Sequence, residues 1–394
     1  MNKLNNKWFR AVLPAILLHL SIGSVYCWSL FVTPISEYIG KSPQQVQFAF
    51  SLAIFTLGLS AAFGGNLVEK NIRKSTLVSM ICFCSGLLAT ALAIHFKSLI
   101  GIYCGYGFLM GVGLGIGYLS PIKNLMIWFK NNKGFATGIA VCSFGFASAI
   151  ASPLITYLIS KYSLPQTFIA LGIIYILPMF IAHLLIKKPN GYVEPIDNSD
   201  FKAMLMFKNK TFIAIFIMLF INISCGLSLI SVASPMMKEM NLNISTIALV
   251  VGIMGIFNGS GRLVFSAVSD KMKNRQTIYK VIFGLSVGII FATLLNNKLI
   301  IVALLIISAC YGAGFSNLPS LLSDKFGMKN ISKIHGISLI SWGLSGLCGN
   351  QISTLIKNIT GSYLNVLWLL IVAYTIGLIV CLKLSKNNNE IKGE

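Results

Sequence analysis

The sequence predicts an all-α polytopic membrane protein with twelve transmembrane helices in two six-helix halves related by pseudo-two-fold symmetry. Hydrophobic residues make up 56% of the chain and charged residues 10%, and the mean hydropathy is +0.80. This composition is typical of membrane proteins. Twelve apolar runs each approach the roughly 20 residues that one bilayer crossing requires. Strands cannot satisfy their backbone polar groups singly in lipid, so we expect every crossing to be a helix.

The twelve runs give the predicted crossings in chain order. In the first half they lie near residues 9–33, 46–67, 75–95, 99–128, 134–160 and 165–187. In the second half they lie near residues 210–236, 244–268, 276–296, 299–323, 334–357 and 362–384. The first run follows a basic start, like a signal sequence. It is too long for a signal-peptide core and lacks a small-residue cleavage site, so we expect it to be retained as the first crossing.

One long polar link divides the chain into two parts. It carries Pro189, Gly191 and Pro195 together with the acids Glu194, Asp197 and Asp200. We therefore predict a first helical bundle at 1–187, a cytoplasmic linker at 188–209, a second bundle at 210–386 and a tail at 387–394.

The distribution of positive charge predicts the orientation. With the N-terminus inside, 23 lysines and arginines fall in cytoplasmic segments and 6 fall in outside links. This asymmetry follows the positive-inside rule and places both termini in the cytoplasm, with the inner membrane of a bacterium as the expected location. The net charge of +21 is explained by these links, so no nucleic-acid partner is expected. The two remaining cations, Lys123 and Arg262, lie inside predicted crossings.

Arg262 is the main candidate for a binding residue. It lies within the apolar stretch from Val250 to Asp270, and Asp270, the nearest acid, follows it by eight residues. A guanidinium stays charged at any accessible pH. A charge at membrane depth costs at least about 2.5–3.5 kcal/mol and usually faces a cavity or a partner. Because a carboxylate matches its fork of donors, we predict that the substrate is an organic anion. An arginine that bonds helix-end carbonyls is the structural alternative.

The two halves repeat at an offset of about 201 residues. Residues 65–74, GNLVEKNIRK, correspond to residues 266–275, and Gly111 and Gly113 correspond to Gly312 and Gly314. Internal repeats of this kind are typical of transporters whose site lies between the halves near the membrane midplane.

The repeated loop also resembles a known signature. Residues 65–74 resemble the G-x-L-x-D-R-x-G-R-K loop of the major facilitator superfamily, with Glu69 in the acidic position and Ile72 departing from the glycine. The resemblance implies that the loop charges Glu69, Lys70, Arg73, Lys74 and Asp270 act in gating, through ion pairs and helix-end contacts.

Four stretches are more specifically similar to the oxalate/formate antiporters, relatives of the monocarboxylate carriers. They are residues 23–31 (GSVYCWSLF), 118–138 (from YLSP to KGFATG), 258–262 (NGSGR) and 336–349, which includes SWG. In that family the arginine of the eighth crossing binds the substrate carboxylate, and Arg262 occupies its position. The oxalate exchanger has a second cation, a lysine in the eleventh crossing, which is absent here between Lys333 and Lys357. Monocarboxylate carriers have an aspartate four residues before the arginine, where this chain has Asn258.

Further residues complete the predicted site. Depth counted from the helix ends places Lys123 level with Arg262, as a second anion contact or as a lysine that reaches the inner interface. His19 lies near mid-membrane and is a candidate for proton coupling, with a neutral, hydrogen-bonded histidine as the alternative. Aromatic and polar residues that match the motifs or lie nearby are expected around the anion. They are Tyr26, Trp28, Tyr118, Tyr311, Trp342, Asn258 and Asn317.

The predicted function is secondary active transport of a small organic anion by alternating access, as an exchanger or a proton symporter. We expect a monocarboxylate such as lactate, pyruvate or formate rather than oxalate, with a counter-anion or proton as the second partner. We expect a monomer without metal or cofactor, and no enzymatic activity. An efflux carrier for another solute or drug is the same-fold alternative, and a membrane nutrient sensor is the alternative of a different class.

Overall fold

Twelve helical elements pack into two bundles in the computed structural model, which describes residues 6–193 and 202–390. The first bundle contains α1 to α6 and the second contains α7 to α12. Their bounds are α1 Trp8–Ile39, α2 Pro43–Lys70, α3 Ile72–His95, α4 Leu99–Trp128, α5 Lys133–Lys161, α6 Leu164–Leu185, α7 Lys210–Glu239, α8 Ile244–Ser269, α9 Thr277–Leu295, α10 Ile300–Phe326, α11 Ile331–Ser338 with Ile340–Thr360, and α12 Val366–Glu390. Both described ends of the chain lie on one side of the bundle, here called the terminal face.

The helices have the length and surface of membrane spans. Eleven of the elements in the described residues are long and apolar enough to cross a bilayer. The twelfth, α11, is richer in polar residues and is interrupted at Leu339. Large apolar side chains are exposed on outer helix faces, including Leu92, Leu177 and Phe291. Such a surface is suited to lipid, because hydrocarbon does not penalise exposed apolar side chains.

Several predicted boundaries need correction. Helix α1 continues beyond residue 33 to Ile39, and its middle turn, Gly23–Trp28, is wound as a 3-10 helix. The eleventh crossing begins at Ile331 and breaks after Ser338, a feature the hydrophobic pattern did not indicate. Helix α12 runs to Glu390 and so includes the start of the predicted tail. Glu194, Pro195, Asp197 and Asp200 of the linker, and residues 391–394, lie outside the described residues.

The two bundles meet through α2 against α11 and α5 against α8. Small residues make this contact close. A Cβ atom on Gly58 would lie 2.7 Å from the carbonyl oxygen of Leu339, and one on Gly65 would lie 2.6 Å from that of Ser332. Neither position accepts a larger side chain unless the helices separate, so glycine allows the bundles to approach closely.

Candidate anion site and terminal gate

A cavity of about 400 Å³ lies between the bundles. Both halves line it, with residues from α1, α2, α5, α7, α8 and α10. They are Tyr26, Trp28, Ser29, Gln47, Phe50, Gly145, Ser148, Leu227, Ile230, Ser231, Gly255, Asn258, Arg262 and Tyr311. Gln47 lies four residues after the start of α2 at the opposite face, whereas Arg262 lies seven residues, or about 10 Å, from the end of α8 at the terminal face. The cavity therefore extends from Arg262 towards the opposite face.

Arg262 is buried at the inner end of this cavity, with 2% of its surface exposed. Its Nε donates to Asn258 Oδ1 at 2.9 Å, and its Nη1 donates to the carbonyl oxygen of Val141 at 3.0 Å. The guanidinium carbon lies 5.5 Å from the centre of the Phe315 ring. Gly145 faces the side chain and leaves room for it, since a Cβ there would lie 3.2 Å from Nε.

The guanidinium is positioned but not neutralised. Among the described residues, no carboxylate lies within ion-pair distance of Arg262. Two of its five N–H groups are used by Asn258 and Val141, which leaves donors for a ligand. The buried hydroxyls of Tyr26 and Tyr311, which line the same cavity, lie near each other, and neither has a hydrogen-bond partner of normal geometry in the described chain. Buried polar groups are normally paired, so unpaired donors around a cavity indicate a binding site for an acceptor.

A layer of aromatic rings packs between the two halves beside the inner end of the cavity. Tyr118, Phe144 and Trp342 contact each other edge to face, with ring centres 5.4–5.8 Å apart. Tyr118 and Phe144 belong to the first half and Trp342 to the second. The layer therefore joins the two halves.

Near the terminal face, two carboxylates join the halves by bonding to helix N-termini. Glu69, at the end of α2, accepts from the Ser332 N–H at the start of α11, at 2.5 Å. Asp270, after α8, accepts from the Gly134 and Phe135 N–H groups at the start of α5, at 2.8 and 2.7 Å. Neither α5 nor α11 is capped by a side chain of its own N-cap residue. Each helix start is thus capped by an acid of the other half, where the helix dipole favours negative charge.

Basic residues extend this arrangement, which we call the terminal gate. Arg275 bonds Asp270 and Asp324, each at 2.8 Å, and Lys133 of the first half lies 3.9 Å from Asp324 of the second. The ion pair between Lys357 and Glu239 at the opposite face lies within the second half. The structure therefore has its terminal side closed and its cavity directed to the opposite side.

The structure brings only part of the predicted site together. The cavity is lined by five of the predicted residues, namely Arg262, Asn258, Tyr26, Tyr311 and Trp28. Tyr118 and Trp342 do not line it, because they belong to the aromatic layer between the two halves. Asn317 is also outside the lining, and its amide donates to the carbonyl oxygen of Ala313. The sequence reasoning missed the polar lining residues Gln47, Ser29, Ser148 and Ser231, which resemble any other polar residue in a helix.

Two predicted roles change. Lys123 is buried and pairs with Glu69 at 2.5 Å, so it is part of the terminal gate and not a second cation in this cavity. Lys70, Arg73 and Lys74 form no ion pair with an acid among the described residues, so the structure does not support their role in latching the gate.

His19 lies outside the cavity, between α4 and α5. Its Nδ1 lies 2.6 Å from the Ala140 carbonyl oxygen and its Nε2 lies 3.2 Å from that of Tyr118. The imidazole ring of His19 stacks on the ring of Tyr118. The centre of the Tyr118 ring also lies 6.0 Å from the centre of the His335 ring. The carbonyl that His19 contacts precedes the one that Arg262 bonds, so α5 links the two side chains. His335 is buried, and its Nε2 has no partner in the described chain.

Comparisons with known proteins place this geometry in a family. Residues 15–350 match the Major Facilitator Superfamily. An uncharacterised MFS-type transporter of Escherichia coli, YhjX, is 28% identical over 88% of this chain and 87% of its own length. The oxalate:formate antiporter of Oxalobacter formigenes is 26% identical over 84% of this chain and 81% of its own length. Monocarboxylate transporter 12 of Xenopus laevis is 21% identical over 86% and 79%.

Solved structures share the fold. The outward conformation of the transporter FucP matches with a TM-score of 0.72, 12% identity and coverage of 94% of this chain and 97% of its own. A bacterial homologue of the iron transporter ferroportin matches with a TM-score of 0.76, 13% identity and coverage of 95% and 98%. The resemblance to oxalate/formate antiporters and monocarboxylate carriers is confirmed at the family level. The chain is a multi-pass membrane transporter of the Major Facilitator Superfamily.

Proposed function

We propose that this transporter carries a small organic anion, a monocarboxylate such as lactate, pyruvate or formate, by alternating access. The observation that carries the proposal is Arg262, a buried, permanently charged group at the inner end of a cavity. It has free donors, and no carboxylate of residues 6–193 and 202–390 is in reach. A carboxylate accepts two parallel hydrogen bonds from a guanidinium and cancels its charge.

The charge of the site favours a monoanion over a dianion. The lining residues contain one cation, Arg262, and no acid. Lys123, the other intramembrane cation, is already paired with Glu69. A second carboxylate on the substrate would therefore be desolvated without a partner, which is unfavourable in a low-dielectric cavity. This supports a monocarboxylate in preference to oxalate, although one relative is named an oxalate:formate antiporter.

The two unpaired phenols are proposed to donate to the bound anion. Tyr26→Phe and Tyr311→Phe should each raise the KM for uptake about 10- to 100-fold, because a hydrogen bond to a charged group contributes about 1.5–3 kcal/mol. Initial rates over a substrate series measure this. Tyr374→Phe is the matched control, because its hydroxyl is also buried and unpartnered but lies outside the cavity. An equal effect of all three substitutions would argue against substrate contacts.

The orientation is supported by the positive-inside asymmetry of the sequence, with 23 cationic residues in the predicted cytoplasmic segments and 6 in the predicted outside links. We propose that the terminal face is cytoplasmic, so that the described arrangement is open to the outside and closed to the cytoplasm. Because one chain contains the complete cavity, we also propose that the monomer transports. Transport then requires that the terminal gate opens while the opposite side closes around the neutralised Arg262.

The gate acids should control this equilibrium. In Glu69→Gln, loss of the carboxylate at the α11 N-terminus should shift molecules away from the outward-open form by about 3- to 10-fold. A cysteine introduced by Ser231→Cys reports the shift as slower reaction with a membrane-impermeant thiol reagent added outside. Glu37→Gln removes an exposed acid at the opposite face and should leave the rate unchanged. Equal rates in Glu69→Gln and Glu37→Gln would contradict a gating role.

The coupling mode follows from the energy of the empty carrier. Closing the cavity around a bare Arg262 desolvates an unpaired charge, which disfavours the return of the empty form. We therefore propose that the protein works as an exchanger or as a proton symporter. In the latter case the proton travels with the substrate or on His19.

Uptake into proteoliposomes tests the proposed function. Labelled formate, lactate, pyruvate and oxalate are offered with and without the same anion inside. We expect the monocarboxylates to be taken up, with acceleration by internal anion for an exchanger or by an inward proton gradient for a symporter. No uptake of any anion in an orientation-controlled preparation that retains folded protein would reject the proposal.

A further inference from the structure

A second, strongly basic pocket of about 720 Å³ lies on the terminal face of the first half. It forms where the α2–α3 loop meets the start of α1 and the chain after α6. Five of its lining residues are cationic, and no acid lines it within the part of the chain that the structure describes. None of the lining residues is shared with the substrate cavity. The cations are Arg10, Lys70, Arg73, Lys187 and Lys188.

The surrounding residues reinforce the positive potential. Glu69 immediately precedes Lys70, but its carboxylate is directed to Lys123 and Ser332 in the terminal gate. Asn71 and Ile72, at the N-terminus of the 24-residue helix α3, also line the pocket. That helix end adds partial positive charge. Like charges gathered in one concave site favour the binding of an anion that accepts several hydrogen bonds.

An apolar stripe on α6 leads directly to this pocket. Leu177, Ile181 and Leu184 follow the helical spacing of one face and are 65%, 36% and 45% exposed. Leu184 is also a lining residue of the basic pocket. A ligand that fills the pocket therefore has continuous access to a surface that faces hydrocarbon. This combination suits an amphiphile with an anionic head and an acyl chain.

We propose that this pocket binds the phosphate headgroup of an anionic phospholipid, with an acyl chain along the α6 stripe. Membrane-facing lysines and arginines each add attraction for anionic lipid, and basic pockets between helices on the cytoplasmic side suit such headgroups. The site assigns a role to Lys70 and Arg73, which the terminal gate does not use. Because Lys70 directly follows Glu69 and Arg73 lies four residues after it, the bound lipid also holds the loop beside one gate carboxylate.

Native mass spectrometry of the full chain, titrated with phosphatidylglycerol or phosphatidylcholine, tests the proposal. We expect a preference for phosphatidylglycerol that falls about 10- to 100-fold when Lys70→Gln, Arg73→Gln and Lys187→Gln are combined. These side chains are exposed, so the protein should fold; the double variant Lys70→Gln with Lys187→Gln should show a smaller loss. The triple variant Lys208→Gln, Lys271→Gln, Lys273→Gln removes equal charge from the same face and should keep the preference.

Three results would overturn the proposal. One is a wild-type protein with equal affinity for the two lipids. Another is an equal loss in both triple variants, which would indicate a diffuse field and no defined site. The third is binding of glycerol 1-phosphate or inorganic phosphate as tight as that of the lipid, which would identify a site for soluble phosphate. Leu184→Asn distinguishes these ligands further, because it should weaken the binding of the phospholipid but not the binding of glycerol 1-phosphate or inorganic phosphate.

Discussion

Arg262→Ala should reduce anion uptake by at least about 100-fold. The substitution removes the only cation among the cavity-lining residues, and charge-assisted bidentate bonds are among the strongest polar contacts a protein makes. Arg262→Lys should also fail, because an ammonium cannot form the paired bonds or keep the contacts to Asn258 and Val141. Initial uptake rates in proteoliposomes measure both effects.

The controls for this prediction address folding. Both variants should elute as the wild type does in size-exclusion chromatography and should keep its helical circular dichroism. Arg262→Ala removes a buried charge, and Arg262→Lys adds none. Arg275 offers a comparison, because it is a largely buried arginine that pairs with acids of the terminal gate and does not line the cavity. Arg275→Lys should retain measurable substrate binding while slowing turnover. Wild-type uptake by Arg262→Ala would refute the anion site.

Asn258→Asp should have the second largest effect. Asn258 Oδ1 already lies 2.9 Å from Arg262 Nε, so an aspartate there would pair with the guanidinium and compete with the substrate. We expect the apparent affinity for the anion to fall about 10- to 100-fold. Binding of substrate would then displace the aspartate from its cation and favour its protonation. Uptake by the variant should therefore improve as the pH falls, more steeply than uptake by the wild type.

Asn258→Ala is the matched control for this substitution. It removes the hydrogen bond to Arg262, which the aspartate would keep, and it adds no negative charge, so its effect should be smaller and should show no added pH dependence. If the aspartate and alanine variants behave alike across the pH range, Arg262 does not act as the free counter-charge of the substrate.

The fold could be predicted from the sequence because bilayer physics leaves few choices. The hydrophobic runs, the repeat at 201 residues and the loop at residues 65–74 together imply the twelve-helix arrangement, which the structure confirms. The break at Leu339 could not be predicted from hydropathy. It lies where α11 packs against α2, with Gly58 facing the Leu339 carbonyl oxygen, and such contacts between helices have no local sequence signature.

The candidate site could be predicted where a single charged residue lies inside a membrane-spanning helix, because charged side chains are rare at that depth. Arg262 is conspicuous in an apolar helix, and Asn258 lies one helical turn before it on the same side. Lys123 is equally conspicuous, but depth along a helix does not determine which way a side chain points. Its partner, Glu69, is 54 residues away in the chain and lies at the end of another helix. Tyr118 and Trp342 were placed near the anion because they match family motifs, and they pack in the aromatic layer without lining the cavity.

Calorimetric titration of the purified protein with lactate, formate or pyruvate tests the central idea most directly. If Arg262 binds the carboxylate of the substrate, the wild type should bind one monoanion per chain and Arg262→Ala should bind none, while both proteins remain folded. Saturable binding of the same anion to Arg262→Ala, with unchanged affinity, would show that the negative charge is held elsewhere.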